Sequence, residues 1–250
     1  MTSGHDSAQE FPDIAEVYDR FAALTELSPE LGGSLLLYTE LDRQGIALAI
    51  AANVAGAASL GVEPDLARAK RSIRSGACDF LVNTLDEALR ILKNEIRKRK
   101  AVSVALIGDM QANVAEIVER GVQPEIVEGD APGIDTLVAR GARRLDSSFG
   151  QGGPAVTWRV AREPLRWLPA VDRLAASALD PEAVSTAARR RWLETSPIYL
   201  GRALAAQRYL RMSGAEGEAF VSAVVHEVEN GGIGAAVTVS RDGVETVIGP

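Results

Sequence analysis

The chain has one cysteine, Cys78, and only two histidines, His5 and His226, among its 250 residues. A single thiol excludes an intrachain disulfide framework and fits a reducing, cytoplasmic setting. Cys78 stands in an apolar turn, so it reads as a buried structural thiol and not as a nucleophile. Histidines so far apart offer no ligand spacing, and no metal is expected. Positive charge is in deficit, with 27 Lys and Arg against 34 Asp and Glu and a net charge of −7. Nucleic acid and acidic membrane are therefore excluded as main partners, since both require a basic face. The basic runs Arg97-Lys98-Arg99-Lys100 and Arg189-Arg190-Arg191 read as solvated helix ends, with cations at the negative end of the helix dipole. No apolar run reaches about 18 residues, and no signal-peptide pattern opens the chain.

What is present is ordinary for a globular protein: 46% apolar and 24% charged residues, enough to bury a sizeable core. Residues 1–30 form a lead and a first helix. The first ten residues read as flexible, and Phe11 to Leu27 places Ile14, Val17, Phe21 and Leu24 at helical spacing. Residues 31–146 alternate apolar strands with helical patterns: a strand at Leu35–Tyr38, a small-residue helix from Ile46 to Ser59, and a strand ending at Val62-Glu63. A helix over Pro64–Ser75 follows, then one opened by the capping box Thr84–Glu87 and running to about Lys98. A strand at Val102–Ile107, a helix at Gln111–Arg120 closed by Gly121, and a strand at Glu125–Val127 complete the series. This order predicts an open, mostly parallel α/β sheet with helices on both faces. Right-handed crossovers place its strand-to-helix loops on one edge, where such sheets bind ligands. Residues 147–250 form a mainly helical part. Ser147–Pro154 is a loop or boundary, helices are expected around Leu165–Ala178, Pro181–Leu193 and Tyr199–Met212, and Asp242-Gly243 turns a terminal hairpin between Ala235–Val239 and Glu245–Ile248. Trp158, Trp167, Trp192, Tyr199 and Tyr209 read as helix-packing anchors.

Leu35 to Glu63 has the order of half a nucleotide-binding unit. A dinucleotide site needs glycines at the first, third and sixth loop positions, so that backbone N–H groups approach a pyrophosphate at the helix N-terminus. Those positions hold Glu40, Asp42 and Gly45. Two unit charges ~4 Å apart at an effective dielectric of ~20 interact by ~4 kcal/mol. Carboxylates there oppose a phosphate and favour a cation or an amine-bearing small molecule. Acids recur along the same edge at Glu63, Asp109, Glu128 and Asp130. If two of them lie together, one gains a raised pKa and can act as general acid or base. Asp42, Asp109 and Asp130, with Tyr38 and Arg43 beside the loop, are the candidate catalytic groups. The competing reading makes the acids helix N-caps and leaves Arg43 to neutralise Glu40 and Asp42.

Over residues 31–137 the chain resembles the central NAD-holding, Rossmann-like domain of urocanases. The resemblance runs through Val62-Glu63-Pro64-Asp65 with Arg68, Leu85-Asp86-Glu87-Ala88-Leu89, Ser103-Val104-Ala105-Leu106-Ile107-Gly108-Asp109 and Val118-Glu119-Arg120-Gly121-Val122-Gln123-Pro124. It implies a lyase of the hydratase type, in which NAD adds to a substrate imidazole, and a homodimer. It also implies cofactor contacts at Gly45, Glu63 (adenosine ribose) and Arg68. Asp109 stands where the family has an asparagine, and Asp130-Ala131-Pro132-Gly133-Ile134-Asp135 replaces a histidine-bearing segment. Three readings follow. The first is an enzyme on this scaffold acting on a small heteroaromatic or amine-bearing molecule without NAD. The second is a catalytically inactive ligand-binding or partner protein. The third is a residual NAD binder.

Overall fold

The computed structural model describes residues 11–145, 153–204 and 206–249, without the side chains of Arg202 and Ala203. The lead over residues 1–10, with His5, and residues 147–152 of the expected boundary loop lie outside the described residues. The chain divides into two compact units, residues 1–150 with 198–201 and residues 151–197 with 202–250.

The first unit runs α1 (Ile14–Leu27), β1 (Leu35–Thr39), α2 (Arg43–Ala55), β2 (Ala58–Glu63), α3 (Leu66–Ser75), β3 (Phe80–Val82), α4 (Leu85–Arg97), β4 (Val102–Ile107), α5 (Met110–Glu119), β5 (Ile126–Glu128), α6 (Ile134–Ala139) and β6 (Arg143–Arg144). All six strands are parallel, in the order β3-β4-β2-β1-β5-β6. β1, β2 and β4 are near-continuous apolar runs because both sheet faces are covered. One face carries Leu35, Leu37, Leu60, Val62, Val104 and Leu106, packed in one core with Leu85, Leu89 and Leu92 of α4. The alternate residues on β2 and β4 are small: Ser59, Gly61, Ser103 and Ala105. Their size lets α2 lie close, and every residue of α2 from Gly45 to Ala55 is buried. α2 ends at Ala55, earlier than expected, because Gly56 takes the left-handed conformation (φ 90°) and leaves Ala58 free to start β2.

The second unit is not mainly helical, which corrects the expectation. It comprises β7 (Ala155–Val160), α7 (Pro164–Ala178), most of α8 (Thr186–Tyr199), the single turn α9 (Gly201–Leu204), β8 (Gln207–Arg211), α10 (Gly214–Glu229), β9 (Val237–Arg241) and β10 (Val244–Ile248). Its strands form a separate antiparallel sheet in the order β10-β9-β7-β8. The terminal hairpin is present, with Asp242 (φ 48°) and Gly243 (φ 84°) both left-handed in a two-residue turn. The segment expected to be a helix at Tyr199–Met212 instead supplies β8. Trp158 anchors the core from β7, not from a helix, with its ring 5.0 Å from that of Phe220 on α10. Arg189 is likewise no solvated helix end. It is buried in α8 with its guanidinium bonded to Glu216 of α10 at 2.8 and 3.0 Å. Among the described residues no helix is long and apolar enough to cross a membrane.

Candidate functional site

The carboxyl ends of β1, β2, β4 and β5 form one edge of the parallel sheet. Because the chain leaves β1 for β2 on one side and later places β5 on the other, the topological switch falls between β1 and β5. The loop after β1 closes tightly on itself. Glu40 adopts a left-handed φ of 74° and donates its N–H to the Val62 carbonyl at 2.9 Å. Asp42 caps α2, its carboxylate accepting the Gly45 N–H at 2.9 Å. A Cβ on Gly45 would meet the Glu40 carbonyl oxygen at 2.0 Å. Glycine is thus required here by the chain's own backbone, without reference to a ligand.

Glu63, at the end of β2, is wholly buried. One carboxylate oxygen accepts the Leu41 N–H at 2.7 Å, and the other accepts the Asp65 N–H at 2.7 Å. Arg68 places Nε 3.2 Å from the second oxygen. The acid therefore stitches the loop after β1 to the loop after β2. Buried carboxylates need such partners, and both oxygens are committed.

The predicted catalytic residues take separate partners. Tyr38 is 1% exposed, with its ring against Gly61, where a Cβ would lie 2.8 Å from the ring. Burial pushes its phenol well above the usual tyrosine range, with Cys78 adding to the shift. Among the described residues its hydroxyl has no hydrogen-bond partner, although Ser59 and Ser103, themselves bonded at 3.0 Å, lie nearby. Tyr38 belongs to the core beneath α2, which corrects its placement at the ligand edge. Arg43 carries its guanidinium to Glu16, at 2.6 Å, and Asp13, at 3.6 Å, on the first turn of α1. The expected neutralisation of Glu40 and Asp42 is thus replaced by a tie between α2 and α1. Burial alone would raise the Glu16 carboxyl, but Arg43 and the Asp13 N–H outweigh it and hold it below its ordinary value. Asp109 is exposed and caps α5 through the Ala112 N–H at 2.9 Å. Asp130 is fully exposed, 3.8 Å from Arg144, whose other terminal nitrogen holds Asp135 at 2.5 Å. Cys78 is buried beside Ser103, and burial raises its thiol. No group of three or more metal-ligating side chains gathers among the described residues.

One arrangement at the switch point has no sequence signal. Arg20 of α1 reaches Glu128 at the end of β5 (2.6 Å) and the Gln44 side-chain oxygen (2.8 Å). Arg20 and Glu128 are largely buried, with side chains 11% and 18% exposed. Beneath them Thr39 and Gly129 pack so closely that a Cβ on Gly129 (φ 115°) would meet the Thr39 hydroxyl at 2.0 Å. An arginine on an amphipathic helix reads as solvated, so nothing local marks Arg20.

Residues 17–136 match the family model for the urocanase Rossmann-like domain. This segment of the chain is a urocanase-family, Rossmann-like domain. The match begins within α1, and so takes in Arg20.

Proposed function

We propose that this chain is a divergent urocanase-type protein that binds a small amine-bearing or heteroaromatic molecule at the carboxyl edge of its parallel sheet and does not hold NAD. The observation that carries this reading is the commitment of loop donors to the chain's own acids. Asp42 takes the Gly45 N–H, and Glu63 takes the N–H groups of Leu41 and Asp65. A pyrophosphate would have to displace these contacts while facing the carboxylates that make them. Glu63 and Arg68, matched by resemblance to cofactor contacts, act here as a loop staple. Because Asp42 and Asp109 cap their own helices and Asp130 lies beside Arg144, the binding-protein reading ranks above the enzyme. The lyase or hydratase reading is favoured by one observation, the largely buried Arg20–Glu128 pair at the switch point, which offers a polar substrate both charges.

Thermal unfolding in the presence of candidate ligands tests both. A ligand at 100 times its dissociation constant adds ~2.7 kcal/mol to stability. NAD is expected to give no shift, and small amines or imidazoles a positive one; stabilisation by NAD would overturn the proposal. Asp42→Asn keeps the helix cap, because asparagine caps as well as aspartate. It should weaken ligand affinity, and abolition of a measured turnover by that change would establish the enzyme reading instead.

A further inference from the structure

Three side chains from three elements of the first unit meet at the switch point between β1 and β5: Arg20 of α1, Gln44 in the first turn of α2, and Glu128 at the end of β5. The two terminal nitrogens of one guanidinium are divided between the other two. Arg20 Nη1 donates to Glu128 Oε1 at 2.6 Å, and Nη2 donates to Gln44 Oε1 at 2.8 Å. One acceptor is charged and the other neutral, and both face the same edge of a planar cation. A guanidinium matches such a pair with its rigid donor fork. An ammonium offers its donors from a single atom, and the two N–H groups of an imidazolium diverge. Arg20 and Glu128 are largely buried whereas Gln44 is exposed, so the acceptor pair opens to solvent on its neutral side.

We propose that Glu128 and Gln44 form the recognition site for a small molecule with a guanidinium or amidinium head, and that Arg20 is the resident cation which this ligand displaces. The inference rests on the reading of this sheet edge as a site for amines, and it narrows that class to planar cations. Exchanging one planar cation for another leaves the charge of the crevice unchanged. An anion would face Glu128, and a neutral molecule could not replace the Arg20 charge. The displaced side chain has somewhere to go. Glu16 lies four residues earlier on α1, the Glu-to-Arg order that favours an ion pair on a helix, and its carboxylate already feels the Arg20 charge. Arg43 holds Glu16 from α2 at 2.6 Å. That tie keeps α1 against α2 while Arg20 moves, so the exchange does not require the helix to leave.

Calorimetric titration of the full chain with methylguanidinium, acetamidinium and methylammonium chlorides, at constant ionic strength, tests the assignment. The two planar cations should bind saturably, and methylammonium more weakly than either. Because a resident group lowers apparent affinity by the fraction of sites that are open, Arg20→Ala should bind methylguanidinium at least about tenfold more tightly than the unaltered chain. Where that variant does not fold, Arg20→Lys, which keeps the charge but loses the fork, should show a smaller gain in the same direction. Glu128→Gln should abolish binding. In the unaltered chain, nuclear magnetic resonance supplies a readout that a fixed ion pair would not move: the Arg20 guanidinium protons should exchange with solvent faster as methylguanidinium saturates the site. Equal affinity in the unaltered and Arg20 variant chains, unchanged Arg20 protons at saturation, or methylammonium binding as tightly as methylguanidinium overturns the proposal. Saturable binding that survives Glu128→Gln overturns it too, but leaves the amine reading of the edge standing. Failure of all three cations and of imidazole to bind any of the chains overturns both.

Discussion

Glycine 45 shows how one residue can be read correctly as necessary and wrongly as to why. In an unconstrained helix a Gly→Ala change gains up to about 1 kcal/mol. Here the added methyl would stand 2.0 Å from the Glu40 carbonyl oxygen, so the sign should reverse. Gly45→Ala is expected to destabilise the first unit on the order of 1–3 kcal/mol, and a thermal melt should show its transition several degrees lower. An unchanged or raised midpoint would mean that the loop opens freely. Glu63 makes the same point with charge. Its importance was visible in the order of residues around Val62-Glu63-Pro64-Asp65, but its role was not. Its partners are backbone N–H groups, one of them 22 residues earlier in the chain, and a backbone donor leaves no mark on composition. Glu63→Gln keeps one acceptor oxygen and loses the charge facing Arg68, a change expected to cost about 1–3 kcal/mol, measurable by urea denaturation.

Among the elements, the parallel sheet was legible because buried strands are apolar on both faces and their helices carry clear caps. Val102–Ile107 needed no tertiary information. β8 was not legible, since Gln207-Arg208-Tyr209-Leu210-Arg211 places an arginine at a core position. Arg208 is accommodated there by Asp172, 36 residues away, which accepts from it at 3.0 Å while also taking the Trp158 indole N–H at 2.9 Å. α10 was missed although Ser213 and Glu216 form a full capping box, because the small residues that follow give a weak helical stripe. Glu216 has a second duty as the buried partner of Arg189. Burial would raise its carboxyl, but Arg189 and the N–H groups of Asp180 and Ser213 prevail and bring it to about 2. A depressed carboxyl stabilises the fold above its unfolded value of 4.5 and loses that contribution as pH falls toward about 2. Unfolding free energy should therefore decline across this window, and Glu216→Gln should flatten the decline. Removing the other partner with Arg189→Met leaves a buried carboxylate without its counter-charge and should cost about 3–5 kcal/mol, seen as a lowered denaturant midpoint. Ser213→Ala, which removes the cap alone, should cost only about 1 kcal/mol.

For the molecule as a whole, the family match and the proposed ligand class rest on different observations. Residues 17–136 keep the urocanase-type domain, whereas the loop that would carry a cofactor spends its donors on the chain's own acids. Equilibrium dialysis with NAD is expected to leave the cofactor equally distributed across the membrane. Retention by the protein at micromolar concentration would restore the third reading.

The buried Glu63 staple also bears on any attempt to engineer a dinucleotide site into these loops. With Glu40 and Asp42 both replaced by glycine, Leu41 and Asp65 would still be held by a carboxylate no solvent reaches. If the proposed function holds, cofactor uptake requires changes in both loops together, so single glycine substitutions at Glu40 or Asp42 should leave NAD unbound.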